Sequence, residues 1–225
     1  MEWLDPRRLL GMGDLFHIWG EAGTGKTLLV CALAAEVVKD GHVRWLCTDG
    51  KRSFINTLRN NLKTEEEHNI TVSVPIGHKD VQESILSLPG NIHPETLLVV
   101  VDPITRVLDM SRRDFVMWGR ELIEEVLPSL VALSQKGVKV VLVSEVRCWA
   151  DKAMPVMYES ISVWKPVDLH VLRNPGGDST IMECTELGHE RPLARISVNG
   201  LGIVRLQAPI VKRRLNDCLE SRSSA

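Results

Sequence analysis

Residues 15–144 alternate between two hydrophobic patterns. Short apolar stretches recur at Leu15–Trp19, Val43–Thr48, Ile70–Val74, Thr96–Val101 and Val138–Val143. Each is strand-sized, and runs such as Leu97–Val101 leave no polar face for solvent, so they predict strands buried on both sides. Between them lie segments with apolar residues at helical spacing: Lys26–Lys39, Ser53–Leu62, Asp80–Leu88 and Asp114–Lys136. Ile55, Leu58 and Leu62 fall on one helical face. Asp80 reads as an N-cap, Asp40-Gly41 as a stop, and Pro128 as a kink or split. This alternation predicts a parallel sheet covered by helices.

After about residue 165 the pattern changes. Asp168–Arg173 and Thr180–Thr185 flank Asn174-Pro-Gly-Gly-Asp178, and Ala194–Val198 and Ile203–Leu206 flank Asn199-Gly-Leu-Gly202. Both read as hairpins, so antiparallel strands extend the same sheet. The expected organisation is one domain over residues 1–210, followed by a basic helix and frayed tail over 211–225 that begins with Lys212-Arg-Arg214.

Composition narrows the function classes. Hydrophobic residues make up 44% and charged residues 25% of the 225, so a disordered chain is excluded. Lys+Arg is 27 and Asp+Glu 29, a net charge of −2, so any nucleic-acid binding must come from a local patch. Five scattered Cys without a C-x-x-C pair argue against a disulfide framework or zinc ribbon, and fit a reducing compartment. The charged N-terminus and the short apolar runs predict neither signal peptide nor membrane span, hence a cytoplasmic protein, nucleoid-associated if prokaryotic. No His pair has metal-ligand spacing and no G-x-S-x-G elbow is present.

The chemistry concentrates in Gly20-Glu21-Ala22-Gly23-Thr24-Gly25-Lys26-Thr27, which matches the phosphate-binding P-loop pattern G-x-x-x-x-G-K-[ST]. The pattern needs a strand before it and a helix after it, and both are predicted. Its glycines let backbone N–H groups curl around phosphates, Lys26 reaches the β/γ-phosphates, and Thr27 ligates Mg²⁺. The ligand is therefore expected to be Mg²⁺ with ATP. Asp102, closing the run Leu97–Val101, is the expected second holder of the metal, although Asp-Pro is also a turn former. Asp49 in Thr48-Asp-Gly50 could orient an attacking water or merely end a strand. Ser144 and Glu145 end the last parallel strand, where ligands of open α/β sheets lie, and either sense phosphate or cap a loop. Arg147, Trp149 and Lys152 could bind single-stranded DNA by phosphate contact and base stacking, with Arg112-Arg113 as a second basic pair. Both stretches read equally well as solvated loops.

The order of these parts resembles the RecA/RadA recombinase superfamily, most of all its short archaeal RadB-like paralogues. Leu4-Asp5 with Leu9-Leu-Gly11 is similar to the family's lead-in. Thr48-Asp-Gly50 lies where the family has Thr-Glu-Gly, and Val100-Val-Asp-Pro-Ile-Thr105 resembles its Walker B segment. Val143-Ser-Glu-Val146 takes the place of Thr-Asn-Gln-Val, and Gly188-His-Glu-Arg-Pro192 with Ile196 and Gly202-Ile203 resembles a late hairpin. The resemblance spans roughly residues 4–206. It implies a RecA-type α/β core, ATP bound at subunit edges, and an oligomer formed through that edge. It also implies DNA on the loops after Asp102 and Glu145, and a role in homologous recombination and DNA repair beside a RadA-type recombinase. Lys26, Asp49 and Glu145 would be the catalytic residues. Asp49 in place of Glu and Glu145 in place of Gln depart from the family and imply slow hydrolysis. Only 14 residues precede Leu15, and Phe16, Phe54 and Phe115 are followed three positions later by Trp19, Thr57 and Trp118. The family's Phe-x-x-Ala polymerisation segment is thus not found, so the expectation is a protein that caps or seeds a filament. The rival expectations are a KaiC- or RepA-like regulatory or ring-forming ATPase, and a non-catalytic assembly subunit that keeps ATP as a structural ligand.

Overall fold

The five strands predicted by the alternation lie side by side in parallel and are joined by a sixth, Val167–Arg173, where the hairpin pattern predicts only antiparallel pairing. In the computed structural model, which describes residues 3–108, 119–120, 122–149, 152–186 and 189–209, the sheet order is β10-β9-β8-β7-β1-β5-β4-β2-β3. In chain order the elements are α1 (Pro6–Leu10), β1 (Leu15–Gly20), α2 (Lys26–Val37), β2 (His42–Cys47), α3 (Phe54–Asn60), β3 (Ile70–Ser73), α4 (Gly77–Leu86), α5 (Leu88–Asn91) and β4 (Thr96–Asp102). They continue with α6 (Leu127–Ser134), β5 (Lys139–Trp149), β6 (Lys152–Pro155), α7 (Tyr158–Ser162), β7 (Val167–Arg173), β8 (Ser179–Glu186), β9 (His189–Val198) and β10 (Val204–Gln207). Strands β3, β2, β4, β5, β1 and β7 are parallel, while β8, β9 and β10 add antiparallel. The chain is α/β, with a mostly parallel sheet flanked by helices and antiparallel C-terminal strands, as the alternation predicts.

Alternate residues of each strand feed two separate cores. Phe16, Ile18, Trp45, Val100 and Val143 pack with Leu29 and Leu33 of α2 on one face. Leu15, Leu46, Val99, Val101 and Leu142 pack with Ile85 of α4 and Leu127 and Leu130 of α6 on the other. Each fully buried side chain of this size stabilises by about 1.5–3 kcal/mol, so both faces are needed to hold the central strands in register.

Several local expectations are corrected. The helix read from Asp80 begins at Gly77, so Asp80 lies inside its first turn, and the segment breaks into α4 and α5. At Pro128 the helical segment is split, which is one of the two outcomes expected there. The proline sits in the first turn of α6, where its missing N–H costs nothing, after a π-helical turn at Leu122–Val126. Residues 109–118 and 121 lie outside the described residues, as does the tail from 210 onward. The stretch after Glu145 is not a loop. β5 runs on to Trp149 and folds back as β6, with Val146 opposite Pro155 and Trp149 opposite Lys152. Among the described residues, no helix is long and apolar enough to cross a membrane.

The junction of β1 with the turn that follows depends on one missing side chain. A Cβ on Gly20 would run into the Val171 carbonyl oxygen of β7 and lie 2.9 Å from Thr24 Oγ1. Backbone of two strands cannot retreat as a flexible side chain would. Gly20→Ala is therefore expected to cost more than about 2 kcal/mol, read as a lowered urea midpoint. Stability equal to the parent would mean that β7 can move away from the turn.

Candidate functional site

Four parallel strands end at one cleft. β1 leads into the turn 20–25, β2 into Thr48-Asp49, β4 ends at Asp102, and β5 passes Ser144 and Glu145. Because β5 lies between β1 and β4, Glu145 is opposite Gly20 in register, and Asp102 is opposite Cys47 on the β2 side. This is the carboxyl end of an open parallel sheet, the usual place for a ligand. A cavity of about 530 Å³ opens there, lined among others by Gly23, Lys26, Thr27, Asp49, Asp102 and Glu145. An adjoining cavity of about 390 Å³ shares Asp49, Glu145, Arg147 and Val156 with it and adds Thr105, Arg106 and His78.

The turn 20–27 is held by its own polar groups. Thr24 Oγ1 donates to the Glu21 carbonyl at 3.0 Å, and the Lys26 ammonium donates to the carbonyls of Gly20 and Glu21 at 2.7 and 2.8 Å. Gly25 precedes α2 with φ of 98°, a left-handed conformation that favours glycine, and no side chain caps the helix. The first N–H groups of α2 therefore have no side-chain acceptor, and a twelve-residue helix directs the positive end of its dipole at the cleft. Such a turn can hold a phosphate through backbone donors, with Lys26 exchanging carbonyls for phosphate oxygens.

Thr27 Oγ1 donates to Asp102 Oδ2 at 2.9 Å. A hydroxyl and a carboxylate so placed fit Mg²⁺, which takes one or two protein oxygens and completes its shell with water and phosphate oxygens. The electrostatics agree with a site built for added cations and anions. Burial pushes the Asp102 carboxyl up to about 6; the Thr27 hydrogen bond opposes this, Asp49 adds to it, and Lys26 and Lys51 oppose it. Burial likewise lowers the Lys26 ammonium, against the pull of Asp102 and Glu145. Each charge is held at a cost, which a bound counter-charge would relieve.

The two carboxylates of the far wall are already engaged. Asp49 Oδ1 accepts from the Lys51 backbone N–H at 3.0 Å, and Oδ2 pairs with Lys51 Nζ at 3.1 Å. Glu145 Oε2 accepts from Thr105 Oγ1 at 3.3 Å, and Oε1 lies 3.5 Å from Arg106 Nη2. Thr48 donates its hydroxyl to the Pro103 carbonyl and its backbone N–H to the Asp102 carbonyl, which ties β2 to β4 just behind Asp49.

The structure thus brings Gly20–Thr27, Asp49, Asp102 and Glu145 to one cleft. Arg147 is exposed on the β5–β6 hairpin at its rim. Trp149 and Lys152 are a backbone pair in that hairpin, while Arg112 and Arg113 lie outside the described residues. Sequence reasoning missed Lys51, Thr105, Arg106 and Arg173, whose Nη1 donates to the Gly23 carbonyl at 3.3 Å. Lys51, two residues from Asp49, was open to notice. Arg173 was not, because nothing local says that β7 borders β1.

The raised Asp102 carboxyl makes a pH prediction. Its folded value of about 6 exceeds the ordinary 3.8, so between those pH values the folded chain binds more protons than the unfolded one. Stability from this group is present below pH 3.8 and is lost as pH rises through about 6. At pH 7 the ionised carboxylate costs the fold roughly 3 kcal/mol. Asp102→Asn keeps the Thr27 contact without the charge, so it should raise Tm at pH 7.5 and leave Tm at pH 4 almost unchanged. A lower Tm at pH 7.5 would refute this account.

No protein-family model matches this chain, and no curated protein matches it.

Proposed function

We propose that this protein is a RecA-like P-loop ATPase that binds Mg-ATP in the cleft at the ends of β1, β2, β4 and β5 and hydrolyses it slowly. The observation that carries the reading is the Thr27–Asp102 contact of 2.9 Å beside an uncapped helix start and a lysine. Phosphoryl-transfer sites of this kind hold one metal between a hydroxyl on the helix and a carboxylate on a nearby strand. Mg²⁺, when bound, supplies charge neutralisation on the β- and γ-oxygens. The chain supplies the rest. Backbone N–H groups of the turn and α2 orient the phosphates, and Lys26 takes up their charge. Asp49 and Glu145 stand on the opposite wall, where a water could be held for attack.

Slow turnover follows from Asp49. A base must be free to accept a proton, and both Asp49 oxygens are held by Lys51. Asp is also one methylene shorter than Glu, so it holds water closer to the backbone than in-line attack favours. The same Lys51 contact favours a second reading, in which ATP is a structural ligand of a non-catalytic assembly subunit. The wider role we propose is that of a recombinase paralogue in homologous recombination and DNA repair, acting with a RadA-type recombinase and with single-stranded DNA on the hairpin that carries Arg147. The resemblance supports that part, together with the position of an exposed arginine at the rim of the cleft.

Calorimetry tests the nucleotide assignment. Lys26→Ala should weaken Mg-ATP binding about 10- to 100-fold, because phosphate charge is left uncompensated; equal affinity in the two proteins would sink it. Single-turnover hydrolysis separates the two readings. Asp49→Asn should abolish turnover while binding stays near normal, whereas wild-type hydrolysis no faster than buffer selects the structural-ligand reading.

A further inference from the structure

Beneath the cleft, on the sheet face that carries α4 and α6, lies a polar chain that the proposed chemistry does not use. His17 of β1 is 1% exposed, Ser144 of β5 0% and Asp168 of β7 8%. His17 and Asp168 are register partners on adjacent parallel strands, and Ser144 is the partner of Trp19, two residues further along β1. His17 Nδ1 lies 3.0 Å from Asp168 Oδ1, and His17 Nε2 lies 2.9 Å from Ser144 Oγ. The Trp19 indole N–H donates to the same Asp168 oxygen at 2.8 Å, and its ring stacks on His170 at 3.7 Å.

The proton assignment follows from donor chemistry. An ionised carboxylate only accepts, so His17 Nδ1 carries the hydrogen that faces Asp168. His17 Nε2 then meets the Ser144 hydroxyl, which can both donate and accept. The other side of the pair is Tyr158 of α7, whose ring lies 6.4 Å from His17. Its phenol is pushed up to about 12 by burial and by the Asp168 charge.

The arrangement repeats the contacts of a Ser-His-Asp triad, but it is not a second active site. A nucleophile must be reached by substrate, and Ser144 is fully buried while none of the three lines either cavity of the cleft. What the chain does touch is the hairpin. Ser144 lies two residues before Val146, where β5 takes up β6 as its partner, and Tyr158 follows β6 by three residues. Both feet of the hairpin therefore stand beside the His17–Asp168 pair. The Val156 N–H closes the base by donating to the Glu145 carbonyl at 3.1 Å.

We propose that His17 is a positioning residue: braced by Asp168, it holds the Ser144 hydroxyl and so fixes Glu145 and the base of the β5–β6 hairpin against the turn that β1 feeds. β1 carries both ends of this linkage, His17 in its middle and Gly20 at its end, so the position of the turn and that of the hairpin are set by one strand. Glu145 meets the cleft from the hairpin side, and its alignment depends on the residue before it. The consequence for turnover rests on the reading of the cleft as a nucleotide site; the clamp does not.

Hydrogen–deuterium exchange of the full chain tests the clamp, with Ser144→Ala, His17→Phe and His17→Gln as variants. In Ser144→Ala and His17→Phe the amides of residues 145–149, 152–154 and 156 should exchange about tenfold faster while those of Val99–Val101 in β4 keep their rate, and His17→Gln, whose side-chain amide offers both a donor and an acceptor, should stay within about twofold of wild type. If His17→Phe fails to fold, Ser144→Ala decides alone, since it removes one hydroxyl. Unchanged hairpin exchange in Ser144→Ala overturns the proposal, and so does an increase shared equally by β4, which would reflect global stability. Calorimetry and single-turnover rates form the second arm. Mg-ATP affinity should be retained in Ser144→Ala with turnover reduced. Absence of Mg-ATP binding by the wild type would overturn the nucleotide reading and leave the exchange result standing.

Discussion

The parallel register between β1 and β5 is the constraint on which the rest of the site depends. Six residue pairs, from Leu15 opposite Val140 to Gly20 opposite Glu145, fix where the glycine-rich turn begins relative to the end of the neighbouring strand. Because both strands are buried on both faces, a slip of one residue would send every apolar side chain to the wrong core. The register thus has no nearby alternative. It places the turn beside Glu145, and through the β4–β5 pairing it sets Asp102 on the next strand over. Hydrophobic packing sets where the strand ends meet, and polar contacts such as those of Lys26, Thr27 and Thr48 then hold the turn and the cleft walls in place.

Those polar contacts cost stability in isolation. Asp102 is raised by burial and Lys26 lowered by burial, although each attracts the other. Opposite charges that face one another in a partly desolvated cleft gain from Coulomb attraction less than burial takes. A fold that needed only stability would fill this place with apolar side chains of similar size. Keeping an ammonium, two hydroxyls and several carboxylates at one strand end is the pattern of a site that stores unfavourable desolvation for a ligand to relieve. The uncapped start of α2 belongs to the same pattern, since a serine or aspartate there would satisfy the helix and block an anion.

Sequence alone made β4 and the parallel part of β5 legible because they are buried on both faces and almost wholly apolar, as Leu98 to Val101 illustrates, whereas the parallel pairing of β7 was not legible because Asp168 and His170 break its apolar pattern. The turn 20–27 was legible because its chemistry is local: glycines, lysine and threonine act from fixed offsets. The hairpin β5–β6 was not. Val146 to Pro155 carries two cations, an aspartate and a proline, a composition that reads as loop, and its strand character comes from pairing across its own ends. The start of α4 was misplaced for a related reason. Asp80 is a good capping residue, but Gly77 with φ of 82° turns the chain earlier, so tertiary context overrode propensity. The short α1 escaped although Asp5 caps it and Pro6 opens it, a signature that the sequence does carry. The His17–Ser144–Asp168 chain joins residues up to 151 positions apart, and no spacing rule reaches that far.

Two constellations in this molecule have distances that chemistry would accept, and burial tells them apart. Ser144, His17 and Asp168 lie within 3.0 Å of one another in sequence along a relay, yet solvent does not reach the serine. Lys26, Thr27 and Asp102 are linked less completely, but they line an open cavity and hold their charges under strain from desolvation. A sealed network of short hydrogen bonds rigidifies its surroundings. An open one whose charges are held against desolvation lowers its energy by taking in a counter-charge. Under the proposed readings, the first holds a hairpin in place and the second takes up a ligand, so positioning falls to one face of β1 and binding to its end.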